Sequence, residues 1–166
     1  MSGDDARSIH VARGEGTSLR NPVATGGPLE IKARGEETGG ALTACESVTM
    51  PGEGPPFHKH ANEDELMYFL DGAFRLRIDD EVMDMAPGSF AFVPRDTPHS
   101  WQNVSESQAH MLFVFTPASP GMERFFELFA QVAGEESEVR DAFAKLAEDA
   151  GMTVLGPPLA QSHPLS

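Results

Sequence analysis

Apolar and polar residues alternate along much of the chain before Pro117. The clearest run is 74–78, where Phe74, Leu76 and Ile78 alternate with two arginines, and successive side chains of a β-strand point to opposite faces. Similar or more continuous apolar runs lie between turn-forming residues, and each of them also predicts a strand. These runs cover residues 18–25, 29–33, 41–50, 57–60, 65–70, 82–85, 89–93, 99–104 and 108–115. The pattern predicts an all-β domain.

The hydrophobic period changes after this domain. Apolar residues recur at helical spacing in 121–133 and again in 138–150, which predicts two amphipathic helices. The apolar stripe of the first helix is rich in phenylalanine. We interpret it as packing against the outer face of the β domain or a second subunit, with a substrate lid as the less favoured alternative. An apolar, proline-containing tail at 152–159 is expected to dock on the rest of the protein.

The length of 166 residues suffices for one hydrophobic core and is too short for two full barrels. We divide the chain into a mobile N-terminal segment, 1–17, a β domain, 18–117, and a C-terminal helical extension, 118–166. The first segment is rich in Gly, Asp, Arg and Ser and shows little periodicity, which is typical of a chain that stays unfolded.

The formal net charge of −14 repels phosphate backbones and anionic membrane surfaces, so neither nucleic acid nor a membrane is expected as a partner. The first 20 residues lack the apolar region of a signal peptide, and no apolar run approaches membrane-spanning length. Cys45 is the single cysteine, which excludes an internal disulfide and fits a reducing compartment. We therefore expect a cytoplasmic protein.

The candidate chemistry lies between residues 58 and 99. His58 and His60 are two positions apart on a predicted strand and so share a face. A short turn would return the chain so that the carboxylate of Glu65 lies beside them, and His99 places one more imidazole on a later strand. Imidazole and carboxylate groups of this kind bind iron, nickel, manganese, cobalt or zinc. His110 has no second ligand beside it, and we interpret it as structural or as a residue that supports a ligand.

The spacing around these residues resembles two motifs of the cupin superfamily. Gly52 and Gly72 bracket the pattern G-x5-H-x-H-x4-E-x6-G, which matches at every fixed position. Gly88, Pro94, His99 and Asn103 match the second pattern at its fixed positions except one, where Asp96 replaces the usual Gly. The resemblance implies a jelly-roll barrel, also called a double-stranded β-helix, that holds one divalent metal ion. Asp tolerates a left-handed backbone better than most residues, so the turn is expected to persist.

The expected substrate pocket is apolar and aromatic. Met67 and Phe69 share strand parity with Glu65, and Trp101 shares it with His99. Phe92 completes the set of expected lining residues. Plain packing is an equal alternative for Trp101. Such a lining favours an aromatic or enolisable small molecule over a sugar phosphate, for which Arg or Lys would be expected.

Further stretches, 35–42, 51–56 and 116–126, resemble small bacterial cupins described as quercetin dioxygenase-like. That resemblance implies a dioxygenase in which His58, His60, Glu65 and His99 hold the metal and Glu65 also acts as the base. The same ligand set serves other cupins as cyclases, isomerases and decarboxylases, so a non-redox cyclase or isomerase remains an alternative, as does a metal-containing binding module. The apolar strands and the Phe-rich helix also predict a homodimer.

Overall fold

The computed structural model describes residues 7–22 and 27–165. Within them, two antiparallel sheets face each other, with strand orders β1-β2-β3-β10-β5-β8 and β11-β4-β9-β6-β7. The strands are β1 Thr17–Leu19, β2 Leu29–Ala33, β3 Thr43–Thr49, β4 Pro56–His60, β5 Asp64–Asp71, β6 Phe74–Ile78, β7 Glu81–Met85, β8 Phe90–Val93, β9 His99–Asn103, β10 Ala109–Thr116 and β11 Met152–Pro158. The helices are α1 Pro120–Phe129, α2 Glu136–Asp149 and α3 Leu159–Ser162. This is the jelly-roll barrel with C-terminal helices that the sequence predicts.

The core lies between the two sheets. Met67 and Phe69 of β5 are fully buried and pair with Phe113 and Met111 of β10, which also point inward. Phe69 reaches across to Phe74 of the other sheet, with 5.0 Å between ring centroids. Burying a side chain of this size contributes about 1.5–3 kcal/mol. The strict alternation read from the sequence therefore corresponds to an interior face and an exterior face.

Two turns from the motif pattern adopt left-handed backbone conformations. Gly72 has a φ of 81°, and a Cβ there would collide with the Cβ of Ala109, so only glycine suits this turn. Asp96, which replaces the usual glycine, has a φ of 63°, so the expected turn is present. The backbone N–H of Asp96 donates to the carbonyl oxygen of His60 at 2.7 Å. The substituted turn thus connects β4 to the segment that leads into β9.

Both predicted helices are present, although α1 ends at Phe129 rather than near residue 133. The phenylalanine stripe of α1 is covered by the protein itself. Phe126 packs against Phe113 and Phe115 at centroid distances of 6.0 and 6.5 Å, and Phe125 packs against Phe143 of α2 at 5.2 Å. Because Phe113 and Phe115 point into the barrel, α1 covers its interior rather than the outer face of a sheet.

The C-terminal extension contains a strand as well as helices. Its apolar tail forms β11, and β11 pairs with β4 at the edge of the second sheet. Leu159 follows β11 directly and is 1% exposed. The tail therefore docks by completing the sheet that carries three of the candidate ligands.

At the other end of the chain, β1 covers only Thr17–Leu19, which is shorter than the predicted strand 18–25. Residues 23–25 of that strand, and residues 1–6 of the expected mobile segment, lie outside the described residues. The backbone N–H of Arg7 donates to the carbonyl oxygen of Glu37 at 3.5 Å. Among the described residues, no helix has the length and apolar character needed to cross a bilayer.

Candidate metal centre

The structure brings the four residues expected as ligands together inside the barrel. One potential ligand atom from each of His58, His60, Glu65 and His99 lies within 4.8 Å of the others. The four side chains are almost completely buried, with exposed fractions of 1–5%. The ring Nε2 atoms of His60 and His99 lie 3.3 and 2.8 Å from Glu65 Oε2. The four side chains therefore form one compact cluster between the two sheets.

Local structure explains the convergence. On β4, His58 and His60 are two residues apart and both point inward. The chain then turns through 61–63 into β5, which carries Glu65 on its inner face. His99 lies on β9, the antiparallel neighbour of β4, and stands directly opposite His58 in that pairing. Three strands from both sheets therefore supply the set.

Backbone carbonyl groups orient two of the imidazole rings. Nδ1 of His58 lies 2.7 Å from the carbonyl oxygen of Pro56, and Nδ1 of His99 lies 2.9 Å from that of Thr97. A proton held on Nδ1 by such an acceptor leaves Nε2 free as a lone-pair donor, which is the form of histidine that binds metals. Both rings are thus oriented with Nε2 toward the centre, where Nε2 of His99 lies 2.8 Å from Glu65 Oε2.

Burial and mutual repulsion control the charge of the centre. Burial, together with the neighbouring His99 and His60, holds the pKa of His58 well below its usual value. Burial alone would raise the pKa of the Glu65 carboxyl, but hydrogen bonds from His60 and His99 outweigh it and the pKa is lowered. For His99, burial opposes ionisation, yet the bond to Glu65 raises the pKa. The arrangement favours a neutral His58 beside an ionised Glu65.

The donor set fits a divalent transition-metal ion. Three imidazole nitrogens and one carboxylate oxygen suit iron, nickel, manganese, cobalt or zinc, whereas calcium and magnesium prefer oxygen ligands. The donors converge and are shielded from water, and the Nδ1 atoms of His58 and His99 are already engaged. An ion that accepts five or six ligands would keep one or two positions for water or a substrate. The residues present could therefore hold a metal of the catalytic type.

One buried carboxylate beside the centre was not identified from the sequence. Glu63 is 3% exposed, and its Oε2 lies 3.9 Å from Nδ1 of His60. In the sequence it belongs to an acidic turn, which normally indicates exposure to solvent. The signal that could have found it is its spacing, because Glu63 lies two positions before Glu65 and three after His60.

Most of the expected pocket residues lie on the inner face, but Phe92 does not. Met67 and Phe69 are fully buried in the interior. Trp101 is partly buried and packs against Phe74 with 6.0 Å between ring centroids. Phe92 is 50% exposed and pairs with Leu66 on the outer face of the sheet. Its assignment to the pocket is wrong.

The inward residue at this end of β8 is Val93, which is 1% exposed and pairs with Glu65. A further aromatic neighbour of the centre is Phe115, whose ring centroid lies 5.1 Å from that of His60. His110 is not part of the cluster, and its Nδ1 lies 3.5 Å from Glu46 Oε1. This agrees with its structural interpretation.

Comparison with known proteins supports the same family as the motifs. Residues 46–115 match the family model described as a cupin domain, and the solved structures that resemble the barrel include cupins. The chain contains a cupin domain. Within this cupin, the matched region contains all four residues of the candidate metal centre, whereas β11 and the helices lie outside it.

Two curated proteins and one solved structure are similar to this chain. Protein SchB of Streptomyces halstedii is 30% identical over 74 residues, which are 45% of this chain and 54% of SchB, so the chain spans about half the length of that relative. Polyketide synthase CurC of Streptomyces cyaneus is 26% identical over 116 residues, 70% of each chain. The structure of KdgF from Halomonas sp. superposes with a TM-score of 0.61 at 22% identity, covering 70% of this chain and 99% of KdgF. The last similarity concerns the fold alone.

Proposed function

We propose that this cupin is a metal-dependent enzyme that acts on an aromatic or enolisable small molecule, with quercetin 2,3-dioxygenase-like cleavage by dioxygen as the reaction. The observation that carries the proposal is the position of Glu65. Its carboxylate lies between Nε2 of His60 and Nε2 of His99, in the barrel interior that also contains the buried apolar side chains of Met67 and Phe69. A carboxylate in this position can bind a metal ion and accept a proton from a substrate.

One divalent ion, of iron, nickel, manganese, cobalt or zinc, would be held by His58, His60, Glu65 and His99. When bound, it would lower the pKa of a coordinated hydroxyl group and stabilise the resulting negative charge. The ion would bind to the lone pairs of the histidine Nε2 atoms, since the Nδ1 atoms of His58 and His99 face backbone carbonyl oxygens.

The protein's own residues would prepare the substrate. Hydrogen bonds from His60 and His99 lower the pKa of Glu65 and keep the carboxylate ionised. It would take the proton of an enol or phenol hydroxyl group whose own pKa is lowered by the bound ion. Met67, Phe69 and Trp101 lie on the inner face, where they would pack on a planar ring and exclude water. Because a substrate needs an opening and α1 covers the interior, movement of the Phe126 side chain or of α1 would admit it.

A non-redox cyclase is the second candidate, and the similarity to CurC favours it. That relative, by its name a polyketide synthase, matches 70% of this chain, and polyketides are rich in enolisable carbonyl groups. A cyclase would use the same Glu65 carboxylate to take a proton next to a carbonyl group, without oxygen. The substrate class is therefore shared by both candidates, and the use of oxygen separates them.

The experiment that tests the proposal is oxygen uptake with a panel of flavonols and other aromatic enols, after reconstitution with each metal in turn. Uptake that depends on iron, nickel, cobalt or manganese would support the dioxygenase. Turnover by the zinc-loaded protein without air, combined with no oxygen uptake for any metal, would replace it with the cyclase. Ligand-dependent stabilisation without turnover would indicate a binding module.

We also propose that two copies associate through the outer face of β5 and β8. The Phe-rich helix, which motivated the expectation of a dimer, is covered internally, but this face carries exposed apolar side chains. They are Tyr68, Leu70, Phe90 and Phe92, which are 43–57% exposed. A contiguous apolar face next to an edge strand is typical of a subunit interface.

The expected location stays the cytoplasm. The proposal rests on the single cysteine, Cys45, which fits a reducing compartment. Its thiol is fully buried in the core and burial raises its pKa, so it is unreactive.

A further inference from the structure

His60 differs from the other two histidines of the centre in what lies beside its second ring nitrogen. Nδ1 of His58 and Nδ1 of His99 each face a backbone carbonyl oxygen. Nδ1 of His60 is buried and has no hydrogen-bond partner among the described residues. The atom beside it, at 3.9 Å, is Oε2 of Glu63, which is also buried and also lacks a partner.

The rest of the Glu63 side chain is held firmly. Its other oxygen, Oε1, accepts a hydrogen bond from the hydroxyl group of Ser119. The same hydroxyl oxygen accepts the backbone N–H of Met122 at 3.1 Å, because Ser119 is the N-cap of α1. The backbone N–H of Ser119 donates to Oγ1 of Thr43 at 3.0 Å. Glu63 and Ser119 are only 3% and 1% exposed.

The chemistry of imidazole explains why a carboxylate beside Nδ1 of His60 matters for metal binding. A neutral ring carries a single N–H, so a histidine that offers Nε2 to a metal must hold its proton on Nδ1. A buried N–H group requires an acceptor. For His58 and His99 the acceptor is a backbone carbonyl oxygen, whereas for His60 the available acceptor is an ionisable side chain. A carboxylate accepts more strongly than a carbonyl and increases the electron density of the ring.

We propose that Glu63 is a positioning residue, which accepts the Nδ1–H of His60 and thereby directs Nε2 of His60 at the metal ion. This rests on the proposed metal centre. Ser119 fixes the other carboxylate oxygen, so the start of α1 is joined to the metal centre through two side chains. The helix that covers the barrel interior and the ion inside it are then mechanically linked.

Zinc affinity, measured by chelator competition on the full chain, provides the first test. Glu63→Gln preserves the size of the side chain and removes its charge, and we expect the Kd for zinc to rise about 10–100-fold. Asp64→Asn is the matched control, because it removes one carboxylate from the next position, where the side chain binds the exposed Arg95 at 3.0 Å. The control should keep the Kd of the wild-type protein. A Glu63→Gln protein whose Kd stays within about twofold of the control overturns the proposal.

Histidine NMR provides a measurement that would not change if the role of Glu63 were purely structural. In zinc-loaded protein with labelled histidine, the Nδ1–H proton of His60 should lie downfield of those of His58 and His99, since its acceptor is charged. In Glu63→Gln it should move toward the other two, which serve as internal references. A weaker affinity with an unchanged His60 proton would overturn the proposal, because the loss would then have another origin.

A second pair of variants keeps the test valid if Glu63→Gln does not fold. Ser119→Ala frees the carboxylate without removing it, and Ser119→Thr retains the hydroxyl group. We expect a raised zinc Kd for the first and a wild-type Kd for the second, and equal values for the two variants would overturn the proposal. A wild-type protein that binds no zinc refutes the proposed metal centre itself, whereas normal zinc binding by both Glu63→Gln and Ser119→Ala refutes only the role of Glu63.

Discussion

Val154 of β11 lies directly opposite His58 of β4 in the antiparallel pairing of these strands. The segment that follows α1 and α2 thus returns to the sheet that carries three of the candidate ligands and covers the edge of β4. Its neighbour Met152 pairs with His60 in the same register and is 4% exposed. An uncovered β4 would present unpaired backbone groups beside two ligands. The C-terminal strand therefore supports the site as well as the fold.

Replacing Leu159, the residue directly after β11, should destabilise the whole protein. Its side chain is 1% exposed, and truncating a buried leucine to alanine costs about 2–5 kcal/mol. Urea unfolding of Leu159→Ala measures this loss. Leu165→Ala is the control, because Leu165 is 60% exposed and surface truncations usually change stability by less than about 0.5 kcal/mol. Equal midpoints for the two variants would show that the tail is not docked in solution.

Three of the four candidate ligands follow a local rule, whereas His99 was assigned from the motif spacing that the chain shares with cupins. Strand parity alone puts His58 and His60 on one face, and the side of a strand on which Glu65 lies is likewise decided by its neighbours. Asp96 also followed from a local property, its tolerance of positive φ. Features of this kind do not depend on what lies across the barrel.

The errors concern features that depend on distant partners. Phe92 was misplaced because the register of β8 against β5, which pairs Val93 with Glu65, is set across the sheet. The burial of Glu63 depends on Ser119, a residue 56 positions away. The pattern of polar and apolar residues in the turn itself does not indicate this contact.

The strand β11 was missed for a different reason. Gly156, Pro157 and Pro158 argue against a strand, since proline cannot donate to a ladder. They are tolerated because β11 is the edge strand of its sheet and its register is irregular between Val154 and Pro158. A sequence pattern gives no indication of which strand lies at an edge.

Removing one histidine of the centre should abolish stable metal binding. In His58→Ala or His99→Ala we expect metal content after dialysis to fall from about one ion per chain toward zero, because three ligands hold an ion less tightly than four. Elemental analysis measures it. His10→Ala, His110→Ala and His163→Ala are the controls, since these residues lie outside the cluster, and they should retain the ion. Full metal content in a His58→Ala, His60→Ala double variant would refute the site.

A charge on the exposed face of β8 should separate the proposed dimer. Phe90 is 57% exposed, and Phe90→Glu would bury an unpaired carboxylate in the interface. Light scattering at micromolar concentration should therefore report a dimer for the wild-type protein and a monomer for the variant. Leu155→Glu on β11 adds the same charge at another exposed apolar residue, 46% exposed, and should leave the dimer intact. A monomeric wild-type protein would contradict the proposal directly.

The last prediction concerns Glu65 as the base. Glu65→Gln keeps an oxygen that can bind the metal but cannot accept the substrate proton, so the rate per bound metal ion should fall about 10²–10⁴-fold. Substrate affinity should change far less, because the apolar wall formed by Met67 and Phe69 is untouched. Rates must be divided by the metal content of each preparation, since the variant can also lose the ion.

The control for this variant is Asp64→Asn, whose side chain binds the partly exposed Arg95 at 3.0 Å. It should retain the wild-type rate. If Glu65→Gln lowers metal content but leaves the rate per bound ion unchanged, Glu65 is a ligand alone and the base must be sought elsewhere. If the rate falls with substrate binding intact, the carboxylate between His60 and His99 moves the proton, in the dioxygenase and the cyclase alike, because both reactions begin at an acidic hydrogen of the substrate.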